Sequence, residues 1–186
     1  MHHVNSKLNK ICYAFRLLKS KVSSHHLLTI YHSVFLSHVR YALIFWGHSK
    51  QLIGRILITQ KRCLRIIFGL KQGKSCKPLF AKHKLLTVVS FYILEIVKFV
   101  KLHIGELFNT SGSCHSYNTR SHLNVYMGND YESMLEKRHN LYKQIYNKLP
   151  VSIQSLTGTK FKKETKKLLE QHCLYSLKQY FDTTFK

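Results

Sequence analysis

Helix breakers are almost missing from this chain. Its 186 residues include 8 glycines and 2 prolines, Pro78 and Pro150. That is about half the share found in an average globular sequence. Such scarcity excludes collagen-like, linker-like and turn-rich all-β architectures and leaves long helices as the natural outcome. Hydrophobic residues make up 45%, enough for the core of one ordinary domain, or of two small ones sharing a core.

The apolar spacing agrees. Residues 6–22 carry Leu8, Ile11, Cys12, Phe15, Leu18 and Val22 at the spacing of one helical face. Ser24 can cap a second helix over 25–46, with Leu28, Tyr31, Val34, Phe35, Val39, Ala42, Phe45 and Trp46 on its apolar side and Gly47 as its stop. Tyr41, Phe45 and Trp46 are expected in the core. A third helix runs from about 49 to 68 and ends at Gly69. The run 70–77 reads as a basic loop, and Pro78 suits the first turn of a short helix. Thr87 can cap a helix over 88–107 that is apolar nearly all round, as befits the middle of a bundle.

The pattern vanishes over 109–130, where Ser, Asn, Thr, Gly and Tyr dominate. It resumes at 131–149, stops at Pro150, and returns from Thr159 towards Phe181. The expected fold is all-α: an irregular bundle of about six or seven helices with a long loop near 109–130. Three parts are expected: a bundle over 1–108, a hinge loop over 109–130, and a C-terminal helical layer over 131–186.

Charge is the second constraint. Lys+Arg number 30 and Asp+Glu 8, a formal net charge of +22 with His neutral. Residues 1–94 hold no acidic side chain and 16 Lys+Arg. An excess this large calls for a polyanionic partner, a nucleic acid or an acidic membrane surface. The membrane alternative needs a surface helix with a spare apolar face, whereas these stripes are needed for the core. The acids are Glu95, Glu106, Asp130, Glu132, Glu136, Glu164, Glu170 and Asp182, no two adjacent. Metal-dependent phosphoryl transfer needs converging carboxylates, so a polymerase or nuclease centre is not expected.

On the third helix, Arg55, Lys61, Arg62 and Arg65 share a basic face. Lys71, Lys74 and Lys77 follow in the loop, and Arg120 stands in the later polar segment. Lys and Arg along one face suit phosphates, which position a nucleic acid without reading its sequence. The alternative is a solvated helix surface, but such surfaces usually interleave Glu and Asp. Arg120 can hold a phosphate, cap a helix or pair with a glutamate. Tyr117 and Tyr126 can stack on bases or pack across their loop.

The cysteines at 12, 63, 76, 114 and 173 have no finger spacing. No metal and no cofactor are expected. Cys114 beside His115 lacks an orienting acid and makes a poor nucleophile pair. The odd cysteine count and the polar start point to reduced thiols and an intracellular setting, in nucleus or cytoplasm.

Five blocks, in order over roughly residues 7–182, carry a family resemblance. They are the run from Tyr31 to Gly47, Gln60-Lys61-Arg62 through Gly69, Ser75 to Phe80, His115 to Arg120, and Tyr146-Asn147-Lys148-Leu149-Pro150. Together they resemble the region that follows the polymerase domain in reverse transcriptases of jockey-like non-LTR retrotransposons. The resemblance implies a thumb-like, non-catalytic helical region that engages RNA and RNA–DNA or DNA duplexes beside the polymerase domain of a longer reading frame. It also implies that the Tyr-x-Asp-Asp centre and the endonuclease lie upstream of Met1. An inert or co-opted helical remnant that binds proteins is the competing expectation.

Overall fold

In a computed structural model that describes residues 2–113, 121–126 and 136–185, the chain is all-α apart from two short strands. It divides into two compact units. Unit 1 holds residues 1–92 together with 170–175, and unit 2 holds 93–169 together with 176–186. These limits differ from the expected 1–108 and 131–186. The chain between 169 and 176 returns to unit 1, and no local sequence signal announces such a return.

Unit 1 begins with α1 (His2–Leu18), whose Leu8, Cys12 and Phe15 are buried as their spacing predicts. The segment expected as one helix over 25–46 is three: α2 (Ser24–Ile30), α3 (Leu36–Arg40) and α4 (Leu43–Trp46), with a π-helical turn over Tyr31–Phe35. Ser23, rather than Ser24, caps α2 by accepting the His26 N–H. The π turn advances the register by one residue per turn and keeps Tyr31, Phe35 and Val39 inside. After α3 the backbone breaks: Tyr41 has ψ 118 and Ala42 is left-handed at φ 51. The Tyr41 carbonyl accepts the Trp46 indole N–H at 2.9 Å, which closes the break.

That break corrects one expectation. Trp46 is buried, but Tyr41 and Phe45 are 76% and 66% exposed. Interrupting the helix at 41–42 rotates the following turn, so the i, i+4 relation no longer puts them inside. Gly47 then lies against Tyr92, where a Cβ would come within 2.3 Å of the ring.

The long α5 (Lys50–Phe68) lies along α1 and buries Ile56, Leu57, Cys63, Leu64 and Ile67. Ser49 caps it by accepting from Leu52 N–H, and Gly69 ends it in the left-handed region at φ 68. The short α6 (Lys77–Lys82) carries Pro78 in its first turn as expected. The helix α7 (Val88–Leu102) follows, and Thr87 caps it by accepting the Ser90 N–H. Its residues to Tyr92 belong to unit 1 and the rest to unit 2, so an all-round apolar surface serves two cores.

Gln60 is wholly buried at the centre of unit 1. Its Nε2 donates to Tyr31 Oη at 2.8 Å and to the Leu86 carbonyl at 3.0 Å, and its Oε1 accepts from Val88 N–H at 2.9 Å. One amide thereby joins α5 to the π turn and to the start of α7.

Unit 2 packs the rest of α7 with α8 (Glu136–Asn147), α9 (Val151–Gln154), α10 (Gly158–Gln171, to Leu169) and α11 (Leu177–Asp182). Within the expected loop, β1 (Asn109–Thr110) pairs antiparallel with β2 (Val125–Tyr126). Asn147 holds β2 in place: Oδ1 accepts Val125 N–H at 2.8 Å and Nδ2 donates to Val125 O at 3.0 Å. Buried Gln154 donates to the Tyr146 and Leu149 carbonyls, and Tyr180 Oη donates to the Ile145 carbonyl. The turn at 146–150 is thus tied by its neighbours on the far side of Pro150.

Candidate nucleic-acid interface

The amphipathic stripes of α1 and α5 bury their apolar sides against each other. The residues flanking those sides are left at the surface along the line of contact. From α1 and the turn just after it these are Arg16 and Lys19, and from α5 they are Ile58, Arg62, Arg65 and Ile66. Gly69, Leu70, Lys71 and Gln72 extend the wall past the end of α5. Together they line an open groove of about 850 Å³. Five of the ten lining residues are Arg or Lys and none is acidic.

Local bonds fix parts of this wall. Arg62 Nη1 donates to Asn9 Oδ1 of α1 at 3.5 Å. Arg65 donates Nε and Nη2 to the Lys74 carbonyl at 3.2 and 2.9 Å. The Leu70 N–H returns to the Arg65 carbonyl at 3.0 Å through the turn that Gly69 makes. A Cβ at Gly69 would stand 2.9 Å from Lys19 Nζ, so the missing side chain leaves room for that ammonium at the groove.

Field strength follows from composition. Unit 1 contains 16 Lys+Arg and a single acidic residue, Glu170. A concave wall of one sign focuses the potential and raises the local concentration of anions. Arg guanidinium groups present planar pairs of donors to phosphate oxygens, and Lys adds point charges.

Of the eight residues singled out in the sequence, Arg62, Arg65 and Lys71 come together in this groove. Lys61 does not. Its Nζ lies 3.6 Å from the centre of the Tyr175 ring, and burial holds its pKa below the ordinary lysine value. The reason is helical phase: Lys61 lies on the α5 edge that meets the returning 170–175 segment. Lys77 joins it there, 5.6 Å from the same ring. Lys74 is exposed and contributes its carbonyl to Arg65, while Arg55 is exposed outside the groove lining. Arg120 lies outside the described residues, as do Cys114, His115 and Tyr117. Tyr126 is half-buried in β2.

Arg16 and Lys19 were not legible as site residues. Their signal is their place beside Phe15 and Leu18 on the α1 stripe, which becomes informative only once α1 is paired with α5. Cys12, Cys63, Cys76 and Cys173 are free thiols. Burial pushes the Cys76 thiol up, which is not the environment of an activated nucleophile. Among the described residues, no three His, Cys, Asp or Glu side chains gather as metal ligands, and no helix is long and apolar enough to cross a membrane.

No family model, curated protein or solved structure matches the chain.

Proposed function

We propose that the chain is a non-catalytic nucleic-acid-binding helical module, a region like the one that follows the polymerase domain in non-LTR retrotransposon reverse transcriptases. It holds RNA, RNA–DNA or DNA duplexes by their phosphates and works inside the cell beside the polymerase domain of a longer reading frame. One observation carries the binding reading: Arg16, Lys19, Arg62, Arg65 and Lys71, from two helices and a loop, line one groove with no carboxylate among them. The five ordered sequence blocks support the family reading.

Phosphate contacts of this kind release condensed counterions, so affinity falls steeply with salt. The test is fluorescence anisotropy with labelled RNA and DNA duplexes over a salt series. About five phosphates neutralised on B-DNA give a slope near −4 to −5 in log K against log salt. An affinity that does not change with salt would overturn the reading. The module supplies no chemistry of its own, so Mg²⁺ or Mn²⁺ adds neither primer extension nor cleavage.

A second reading, a helical protein-interaction module, draws on exposed Tyr41 and Phe45. It predicts no salt-dependent binding of either duplex.

A further inference from the structure

Beside the basic groove, α1 carries a second feature. Asn5, Ser6, Asn9, Lys10 and Tyr13 line a shallow depression of about 520 Å³. Asn5, Asn9, Tyr13 and Arg16 follow one another at helical spacing, so a single stripe leads from the depression into the groove. The two share a wall, because Asn9 accepts the hydrogen bond from Arg62. Tyr13 is 60% exposed, although α1 buries Leu8, Cys12 and Phe15 completely or nearly so.

The chemistry of this depression differs from that of the groove. It has one ammonium, two carboxamides, the Ser6 hydroxyl and the phenol ring of Tyr13. Asn5 Oδ1 accepts from Thr59 Oγ1 at 3.1 Å and Asn9 Oδ1 accepts from Arg62, which leaves the two amide NH₂ groups as donors. Ring faces and short-range donors suit the edge and face of a heterocyclic base rather than a phosphate. Tyr13 stands three residues from Arg16, about 4.5 Å along the helix axis, within the span of one nucleotide.

We propose that this depression is a subsite for one unpaired nucleobase of the strand whose phosphates occupy the adjoining groove, with Tyr13 as its stacking platform. The proposal rests on the groove's being a phosphate site. A paired base cannot turn into the depression. The module therefore prefers a strand with an unpaired nucleotide to a blunt duplex carrying the same number of phosphates.

The experiment compares a fluorescein-labelled single-stranded oligoribonucleotide with an abasic strand of identical phosphate count, at fixed salt. The wild-type chain is expected to bind the base-bearing strand roughly tenfold more tightly, the usual worth of one base–aromatic stack. Tyr13→Ala is expected to erase that ratio and leave the abasic affinity unchanged, and Tyr13→Phe to keep the ratio. Tyr13 is exposed, so neither change removes core packing. Equal binding of the two strands by wild type, or an equal loss on both strands in Tyr13→Ala, overturns the subsite and leaves the groove standing. Failure of both strands to bind at low salt overturns the groove as well.

Discussion

Arg65 closes its guanidinium on the backbone of Lys74, donating Nε and Nη2 to one carbonyl oxygen at 3.2 and 2.9 Å. Two of the five guanidinium donors are spent on the protein, and three remain for a ligand. Arg65 therefore does two things at once. It contributes a positive charge to the groove wall, and it ties the loop that carries Lys71 to the last turn of α5. A flexible lysine-rich loop would lose entropy on ordering around a phosphate, and the tie removes part of that cost beforehand.

Arg65→Lys separates the two roles. Charge is unchanged, but an ammonium cannot bridge the carbonyl with a planar pair of donors. We expect a loss of about 1 kcal/mol of stability, faster amide exchange over residues 71–75, and nucleic-acid binding weakened by roughly five- to tenfold. Hydrogen exchange followed by mass spectrometry, with anisotropy at one salt concentration, reads all three. Unchanged exchange in the loop would show that the tie has no structural role.

Gln60→Leu is expected to destabilise the fold by about 3 kcal/mol. The apolar side chain leaves Tyr31 Oη, the Leu86 carbonyl and the Val88 N–H without the partner that Gln60 gives them. Urea unfolding followed by circular dichroism measures the loss. Gln60→Glu keeps the acceptor for Val88 and removes the donor for the other two, so it is expected to be at least as harmful at neutral pH. A loss below about 0.5 kcal/mol in both variants would contradict a central role for this amide.

His139 sets a pH dependence in unit 2. Burial, with Arg138 and Lys143 nearby, holds its imidazole pKa below the ordinary value. Its Nδ1 has no hydrogen-bond partner among the described residues, and its ring meets Phe108 and Tyr142 edge-on. The unfolded chain takes up a proton near pH ~6.5, and the folded chain only at lower pH. Stability from this group is therefore complete above about pH 6.5 and falls as pH drops through that value towards the folded pKa. His139→Phe keeps the ring contacts and removes the titration. Its Tm is expected to fall less than that of wild type between neutral and mildly acidic buffer, as scanning calorimetry would record. Parallel curves for the two proteins would rule out the assignment.

The sequence was most informative at helix ends. Gly69 in the left-handed region, Pro78 in a first turn, Thr87 as a cap and Pro150 after α8 all act through short-range geometry, which neighbouring residues reveal. The break at Tyr41–Ala42 was not legible, because Ala in the left-handed region has no local signature and the apolar spacing continues through it. Gln60 and Asn147 carry no local signal of their roles, and only the fold shows that they satisfy backbone groups. Three of the five basic residues of the groove, Arg62, Arg65 and Lys71, were legible, because they follow one another along a single helix and the loop after it. Arg62 and Arg65 share one helix, whereas Arg16 and Lys19 join them through the packing of α1 on α5. Lys61, three residues from Leu64, turned out to lie on the edge that meets Tyr175.

The most direct test of the groove compares two charge-matched double variants. Arg16→Glu with Arg62→Glu reverses one charge on each wall and spares Arg65, whose loss would also release the loop. Lys160→Glu with Lys163→Glu reverses two exposed charges on α10, in the other unit. Both change net charge equally, so long-range attraction falls equally and any difference comes from local contacts. Anisotropy titrations with a labelled duplex at several salt concentrations, with circular dichroism confirming helicity, supply the comparison. The groove predicts that the first pair loses at least about a hundredfold more affinity and lowers the salt slope by about two units, while the second leaves the slope unchanged. Equal losses and equal slopes in the two variants would contradict it.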